Sequence, residues 1–388
     1  MTALPVGWAK STLGEAAECL DHRRVPVNRK VRATRVGQVP YYGATGQAGW
    51  IDEPLFDEEL CLLGEDGAPF LDRSRPKAFV ISGPSWVNNH AHVLRARTGT
   101  SNRFLKYALD EADYGSYVSG TTRLKLTKGA MQRIPIRLPP LPEQHRIVAA
   151  IEEQFSRLDA ADGALALAVR RSDALMASSL ESATTGAGNL IPLGEAATDF
   201  RYGTSVKTLV DGDGPPVLRI PNVRGGRIEP TPLKYATVSA EQLGDCFVSD
   251  GDLLFVRTNG SRDLIGRAAV TNIGRMAFAS YLIRARPREG VLDPRWAVLV
   301  LASPRLRAEI ESRAATTAGQ YNLNLAGIRS LPIPLPPLDE QRRIVAEVEA
   351  QLSRIDAMRA AIERAQRRSA ALRRAILERA FQGELVQP

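Results

Sequence analysis

Residues 134–160 read IPIRLPPLPEQHRIVAAIEEQFSRLDA, and residues 331–357 read LPIPLPPLDEQRRIVAEVEAQLSRIDA. The two stretches are offset by 197 residues (134 to 331), and 18 of their 27 positions are identical. The same offset continues without a gap as far as Gly186 and Gly383. Self-similarity of this kind indicates a duplicated structural unit and decides how the rest of the chain is organised.

A shorter repeat opens each copy. Leu13-Gly14-Glu15-Ala16-Ala17 recurs at residues 193–197, at an offset of 180 (13 to 193). The stretch between the two landmarks is therefore 17 residues longer in the second copy, as expected for a variable domain between constant connectors. The repeats predict four segments: a variable domain over 1–141, a connector helix over 142–186, a second variable domain over 187–338 and a second connector helix over 339–388.

Each repeated segment is predicted to form one long helix. Tandem prolines impose extended backbone before it, and Asp339 is the predicted N-cap of the second helix. Apolar residues then recur seven apart, which is typical of a coiled-coil seam. The predicted helix–helix packing residues are Ile151, Leu158, Leu165, Val348, Ile355 and Ile362. Because the second domain lies between the two helices, helices that pair must run antiparallel, which gives a pseudo-two-fold repeat.

Both variable domains mix strand-like and helical runs, so the predicted fold class is α+β. Helical runs start at Asn102 and near Pro294, and proline suits the first position of a helix. The strand-like runs are Gln38–Tyr42, Leu60–Leu63, Ala78–Ser82, His92–Ala96, Pro216–Ile220, Asp252–Arg257, Gly266–Thr271 and Ala277–Arg284.

Composition narrows the functional class. The 388 residues include 51 basic and 43 acidic side chains, a net charge of +8. This excess permits a polyanionic partner, although the codon bias of a GC-rich genome explains it equally well. Three dispersed cysteines without CxxC spacing argue against a disulfide scaffold or a zinc ribbon. With no signal peptide and no apolar run of about 18–20 residues, we expect a cytoplasmic chain with no membrane contact.

Motifs of catalysis are missing from the sequence. It has no phosphate-binding loop, no GxGxxG after a strand, no HExxH or GxSxG, and no (Asn/Asp)-Pro-Pro-aromatic motif of adenine methyltransferases. We therefore expect a chain that is not an enzyme by itself and holds no metal or cofactor. One histidine cluster, at residues 88–92, allows a metal or acid–base role, or hydrogen bonding within a loop or to a base or phosphate.

Polar and aromatic clusters suited to DNA recognition remain. Arginine matches the guanine edge and asparagine or glutamine the adenine edge, whereas hydroxyls suit phosphates. For each residue the alternative is ordinary loop polarity. Trp50 and Arg227 also lie in these polar and aromatic clusters. The predicted DNA-binding residues are Tyr41, Tyr42, Thr45, Gln47, Trp86, Asn88, Asn89, His90, Thr121, Thr122, Arg123, Lys125, Arg219, Asn222, Arg224, Arg257, Asn259, Arg262, Gln320, Tyr321, Asn322 and Asn324.

The motifs resemble those of the specificity subunits of type I restriction–modification systems. The resemblance is carried by LPPLPEQHRIV and LPPLDEQRRIV, by the C-terminal AILERAFQGELV and by the Leu-Gly-Glu opening of each domain. Further matches lie at residues 40–46, 64–68, 86–92, 251–255 and 319–323, so the resemblance covers essentially the whole chain.

The resemblance implies two target-recognition domains held apart by two antiparallel helices, each domain reading half of a split, asymmetric sequence in double-stranded DNA. It implies a non-catalytic subunit on which two methylation subunits dock and modify adenine. Restriction subunits would add ATP-driven translocation and cleavage. S-adenosylmethionine, ATP and Mg²⁺ are then expected on the partner subunits.

Two alternatives stay open at the level of sequence. The chain could be a coiled-coil scaffold or adaptor without sequence-specific DNA binding, whereas a standalone methyltransferase is disfavoured by the missing motifs. Arginines of the second helix are predicted either to meet the methylation subunits or to form a solvated face. They are Arg359, Arg364, Arg367, Arg368, Arg373 and Arg374.

Overall fold

The computed structural model describes residues 4–317 and 319–386. By internal contacts the chain divides into two compact units, Met1–Leu167 with Ile362–Pro388, and Ala168–Ala361. Each unit holds one variable domain and part of both long helices. This division differs from the four consecutive segments predicted from the sequence, because the long helices contribute to both units. The predicted α+β class with two long helices is confirmed.

The first unit carries two four-stranded sheets, with strand orders β2-β9-β6-β7 and β4-β3-β8-β5. Strands β3 and β8 run parallel, so their carboxyl ends meet at one edge of the sheet. The strands are β1 (Ala9–Thr12), β2 (Ala17–Cys19), β3 (Val39–Gly43), β4 (Gly46–Ile51), β5 (Phe56–Asp57), β6 (Leu60–Gly64), β7 (Ala78–Ile81), β8 (Pro84–Val87), β9 (Ala91–Ala96), β10 (Val118–Ser119), β11 (Lys125–Leu126) and β12 (Pro135–Leu138). The helices are α1 (Leu13–Ala16), α2 (Arg29–Thr34), α3 (Asn102–Glu111), α4 (Lys128–Gln132) and the start of α5 (Leu141–Thr184).

The second unit is built around a six-stranded sheet of order β14-β24-β20-β22-β18-β17. A four-stranded sheet, β15-β19-β16-β23, and a small sheet, β21-β26-β25, accompany it. The strands are β13 (Asn189–Pro192), β14 (Ala197–Tyr202), β15 (Thr208–Leu209), β16 (Pro216–Leu218), β17 (Val223–Arg224), β18 (Arg227–Ile228), β19 (Lys234–Ala236), β20 (Leu253–Val256), β21 (Thr258–Asn259), β22 (Ala268–Val270), β23 (Ala277–Phe278), β24 (Leu282–Pro287), β25 (Ala315–Thr317), β26 (Gln320–Asn322) and β27 (Pro332–Leu335). The helices are α6 (Leu193–Ala196), α7 (Ala240–Leu243), α8 (Pro294–Ala302), α9 (Pro304–Arg313), α10 (Leu325–Arg329) and α11 (Leu338–Gln382).

Two details differ from the sequence-based predictions. The run Ala277–Arg284 forms two strands, β23 and β24, separated by a turn, instead of one. Helix α11 begins at Leu338, so Asp339 lies inside its first turn and is not the N-cap. An Asp339 cap would start the helix at Glu340, whereas the helix starts two residues earlier, directly after Pro336 and Pro337.

The repeated landmarks fold alike in the two units. In the first unit β1 pairs antiparallel with β12, Ala9 opposite Leu138. In the second, β13 pairs with β27 in the same way, Asn189 opposite Leu335. These residues are related by the offsets of 180 and 197 found in the sequence. The constant parts of the sequence therefore form a strand pair that closes each variable domain at its base.

A buried glutamine joins each variable domain to its long helix. The Gln144 side chain accepts a hydrogen bond from the Ser101 N–H (2.9 Å) and donates to the carbonyls of Gly99 and Pro139 (2.9 Å each). It is fully buried. Gln144 thereby ties the loop before α3 to the first turn of α5.

The equivalent Gln341 makes the same three bonds in the second unit. It accepts from the Asp293 N–H (2.8 Å) and donates to the carbonyls of Val291 (2.9 Å) and Pro336 (2.8 Å). The glutamine of the repeated Pro-Pro-Leu-x-Glu-Gln motif is thus explained by its position, because it fills the hydrogen bonds of three main-chain groups in a dry site.

Each unit has a main core to which both long helices contribute. In the first core, Ile147 and Ile151 of α5 pack with Leu377 and Phe381 of α11. Ring centroids of Phe104 and Phe381 lie 5.3 Å apart there. Because residues from the start of one helix meet residues from the end of the other, the two segments are antiparallel within the unit.

The second core repeats this arrangement with the helices exchanged. Leu180, near the end of α5, packs with Ile344 and Val348, near the start of α11. Of the predicted helix–helix packing residues, Ile151, Val348, Ile355 and Ile362 are buried and Leu158 and Leu165 are half-buried. No helix in the described ranges is long and apolar enough to cross a bilayer.

Candidate nucleic-acid interface

The first unit gathers several predicted DNA-binding residues at the edge where β3 and β8 end. The Asn88 N–H bonds the Tyr42 carbonyl (3.0 Å), which joins the two strand ends. Asp66 sits beside them and holds His90 (Nδ1 to Oδ1, 2.7 Å) and Arg123 (2.8 Å) on the same carboxylate oxygen. Residues from three separate loops therefore meet at one exposed tip.

The remaining candidates of this unit lie on the same loops. Lys125 pairs with Glu65 (3.4 Å), and the Glu65 main chain bonds both Leu126 and His90. Thr45 and Gln47 are exposed in and just after the turn between β3 and β4, and Asn89, Thr121 and Thr122 are exposed on the neighbouring loops. These side chains are available to a ligand, as direct readout requires.

A buried polar layer supports this tip. His92 has the Asp21 carboxylate at Nδ1 (2.6 Å) and the Leu126 carbonyl at Nε2 (2.9 Å). Arg24 bridges Asp21 (3.1 Å) and Glu65 (2.8 Å). The layer fixes the loops that carry Glu65 and Lys125 to strand β9.

The same layer contains a group of three possible metal ligands, Cys19, Asp21 and His92, whose ligand atoms lie within 4.8 Å of one another. Both ring nitrogens of His92 are already hydrogen-bonded, and the Arg24 guanidinium lies against Asp21. Burial raises the pKa of the Cys19 thiol to about 11, so the thiolate that a metal needs is disfavoured. This arrangement favours the hydrogen-bonding interpretation of His92 over the metal interpretation.

Four predicted DNA-binding residues are structural instead, which corrects the sequence analysis. Tyr41 and Trp86 are buried and share a small core with Ile51. Asn88 is buried, and its Oδ1 accepts from the His90 N–H (2.8 Å). Asn222 is fully buried and donates to the Glu229 carbonyl (2.8 Å). Side chains without exposed surface cannot reach a base edge, so these four shape the loops.

The second unit places its candidates on the small sheet β21-β26-β25. Thr258 pairs with Asn322 and Asn259 with Tyr321. The Arg257 guanidinium stacks on Tyr202, with its Cζ 4.6 Å from the ring centroid, and donates to the Ser280 carbonyl (3.3 Å). The structure thus brings together Arg257, Asn259, Gln320, Tyr321 and Asn322.

Other candidates of this unit have local roles or lie elsewhere. Asn324 caps α10 by accepting from the Gly327 N–H (2.7 Å). Arg262 donates to the Glu311 carbonyl (3.2 Å). Arg219 and Arg224 belong to a separate turn, where Arg219 donates to the Pro232 carbonyl (3.4 Å) and Arg224 lies 3.8 Å from Glu229.

Two exposed tyrosines that the sequence motifs do not identify, Tyr202 and Tyr281, lie beside Arg257. Tyr202 stacks on its guanidinium, and the Tyr281 carbonyl accepts from the Arg257 N–H (3.0 Å). Both rings keep substantial exposure, Tyr281 about half. Neither tyrosine lies in a polar cluster of the sequence, so only the sheet register reveals their position.

Two of the helix arginines pair across the long helices. In the second unit Arg359 of α11 binds Asp173 and Ser172 of α5. In the first unit Arg373 binds Asp159 (2.7 Å) and Asp162 (2.9 Å). For these two residues the predictions were contact with the methylation subunits or a solvated face, and the structure shows an interhelical ion pair instead.

The fold and its two unlike exposed tips define a duplicated α+β protein built on paired long helices. Residues 5–161 match the family model of the type I restriction modification DNA specificity domain. The matched stretch covers the first variable domain and the start of α5.

Curated proteins similar to this chain are named as type I specificity subunits. The type I restriction enzyme EcoKI specificity subunit of Escherichia coli K12 is 27% identical over 305 residues, 74% of this chain and 66% of that protein. A putative type I restriction enzyme specificity subunit of Haemophilus influenzae is 34% identical over 140 residues, 36% of this chain and 35% of that protein. The matches thus span just under two thirds and about one third of these relatives.

Solved structures share the fold. A chain from a study of complex assembly and conformational transition of the type I R-M system gives a TM-score of 0.76 at 21% identity, covering 99% of this chain and all of that one. The HsdS subunit of Thermoanaerobacter tengcongensis gives a TM-score of 0.56 at 23% identity, covering 99% of this chain and 98% of that one.

Proposed function

We propose that this chain is the non-catalytic DNA sequence-specificity subunit of a type I restriction–modification complex, with each unit reading one half of a bipartite, asymmetric target. One observation carries the proposal: identical junctions, with the same strand pair and the same buried glutamine, support two outer domains of different strand order and different exposed side chains. A scaffold protein would not require two unlike polar tips on duplicated junctions.

Sequencing methylated adenines in DNA modified by the complete methylation complex tests the proposal. Two short specific blocks that differ in sequence and flank a fixed nonspecific gap are expected. A continuous palindrome would contradict two independent readers. Methylation without sequence preference would restore the adaptor alternative.

The partners follow from a stripe of repeated residues on the long helices. The stripe lies opposite the buried face and is exposed in both copies, although folding makes no demand on it there. Because the same surface occurs twice, it fits two copies of one partner, the methylation subunit. The stripe comprises Arg146, Ala149, Ser156, Arg157 and Ala160, repeated as Arg343, Ala346, Ser353, Arg354 and Ala357.

Native mass spectrometry with the methylation subunit of the same system tests this surface. Arg354→Glu should reduce two bound methylation subunits to one, and Arg157→Glu combined with it should remove both. Arg364→Glu is the matched control, because this exposed arginine of the same helix aligns with Leu167 in the first copy. A stoichiometry unaffected by Arg354→Glu would exclude the stripe as the docking surface.

In this proposal the cofactors belong to the partners. The methylation subunits bind S-adenosylmethionine, and restriction subunits bind ATP and Mg²⁺ and supply translocation and cleavage. Because its proposed substrate is double-stranded DNA, the complex is expected in the cytoplasm. Equilibrium dialysis with labelled S-adenosylmethionine should show binding to the assembled complex and none to this chain alone.

A further inference from the structure

An arginine-lined groove opens on the first unit, and its arginines are absent from the clusters that the sequence singles out. It has a volume of about 410 Å³ and an open mouth. The short helix α2 and the chain that follows it form one side, and Trp50 of β4 forms the other. The lining residues are Arg29, Arg32, Ala33, Arg35, Val36, Gly37 and Trp50.

Positive charge is concentrated at one end of this groove. Arg29 and Lys30 are exposed, and among the described residues neither has an acidic side chain within ion-pair distance, nor does Arg32. At the other end Arg35 is neutralised by Asp52 and Glu53, each 2.6 Å away. The cations at the Arg29 end are therefore left for an external anion.

The inner walls hold the guanidinium groups in place. Arg32 stacks on the buried Tyr41 ring, with its Cζ 4.5 Å from the centroid, and Arg35 stacks on Trp86 at 4.6 Å. Stacked guanidinium groups lose less freedom when they bind a phosphate, because their planes are already fixed. The buried aromatic residues thus act through the arginines that they position.

Trp50 gives the groove an aromatic rim. The sequence has four tryptophans, and Trp8, Trp86 and Trp296 are all buried, whereas Trp50 is 55% exposed. Leaving the apolar surface of a tryptophan ring in water is unfavourable in free energy. Beside a row of cations, its ring suits the sugar face of a nucleic-acid strand, where aromatic and cationic groups act together.

We propose that the groove lined by Arg29, Arg32 and Trp50, with the exposed Lys30 next to Arg29 on α2, binds the sugar–phosphate backbone of double-stranded DNA beside the half-site read by the first unit. The inference rests on the proposed function and adds an interaction that supplies affinity without choosing sequence. The backbone is held by the cations, and Trp50 covers a sugar.

The salt dependence of binding to a mixed-sequence 40-base-pair duplex tests the cations. Removal of one phosphate-binding cation reduces the slope of log K against log salt by about one. Arg29→Ala/Lys30→Ala should therefore weaken binding and reduce the slope by about two. Arg73→Ala/Arg75→Ala is the matched control: it removes the same charge from an exposed loop of the same unit, and a smaller change of slope is expected. Equal slopes for both double variants would overturn the proposal.

Acrylamide quenching of tryptophan fluorescence tests the role of the aromatic rim directly, because Trp50 is the accessible tryptophan. The duplex should reduce the quenching of the full chain, and Trp50→Phe should abolish that change. If the duplex binds without protecting Trp50, or polyglutamate protects it and the duplex does not, the groove does not bind DNA. Failure of the groove proposal differs from failure of the proposed function. In the second case the wild-type complex would select no sequence from a randomised duplex pool.

Discussion

Replacing Gln341 by alanine should destabilise the second unit far more than an ordinary helix substitution. The side chain is fully buried and satisfies one main-chain N–H, on Asp293, and two carbonyls, on Val291 and Pro336. In Gln341→Ala these three groups lose their partner in a buried site.

The expected cost follows from those three groups. A buried donor or acceptor left without a partner costs about 1–3 kcal/mol. Three such groups, partly relieved by water entering the space that the amide vacates, give a cost of about 3 kcal/mol. Gln144→Ala should cost a similar amount in the first unit, because its three hydrogen bonds have the same geometry.

The assay is guanidinium unfolding together with hydrogen exchange of the peptide that contains Asp293. Gln351→Ala is the matched control, an exposed glutamine on the same helix, and should change the free energy of unfolding by no more than about 0.5 kcal/mol. Gln341→Ala should also accelerate exchange of the Asp293 amide. If the two variants differ by less than about 1 kcal/mol, or that amide stays protected, the glutamine does not hold the junction.

Three further predictions concern single side chains. Burial acts to raise the pKa of Asp21, but His92, the Val93 N–H and Arg24 outweigh it and hold the pKa below its ordinary value. The ionised Asp21 therefore stabilises the fold above about pH 4, and this stabilisation is lost as the pH falls through the folded-state pKa. Asp21→Asn should flatten the acid limb of a Tm-against-pH curve. Burial and, to a smaller extent, the Glu378 charge raise the pKa of Glu111, so its ionised form destabilises the fold at neutral pH. Glu111→Gln should therefore raise Tm at neutral pH, and the difference should disappear below about pH 4. Arg257→Ala should either relax one base position of the methylated motif at a cost of about 1–3 kcal/mol, or weaken binding evenly and reduce the salt slope by about one; no change in either measurement would show that Arg257 only supports Tyr202.

The long helices could be predicted because their information is local and occurs twice. Heptad spacing after tandem prolines predicted α5 and α11 to within a few residues. The pairing of β1 with β12 could not be predicted, because the two strands lie more than a hundred residues apart and neither sequence specifies its pairing partner. The register of the interhelical ion pairs, such as Arg373 with Asp159, was hidden for the same reason.

The candidate site was predictable at the level of loops and not of side chains. The sequence identifies which loops are rich in base-reading residue types, and the structure brings several of them together around Asp66 and on the β21-β26-β25 sheet. The sequence does not show that Arg32 and Arg35 lie over Tyr41 and Trp86, because this stacking depends on how α2 and the chain after it pack against β3 and β8. The sequence therefore predicts that Tyr41 and Trp86 contact DNA, whereas the structure places both in a small core beneath the arginines.

The buried glutamines have a consequence for how such genes can change. The side-chain hydrogen bonds of Gln144 and Gln341 to the variable domains go to main-chain atoms, at Gly99, Ser101, Val291 and Asp293. Atoms common to every amino acid impose little restriction on side chains, so a domain of unrelated sequence can be seated on the same junction. Recombination within the codons of the repeated motif would leave this joint intact. Under the proposed function, one crossover would then give a new specificity without any compensating mutation.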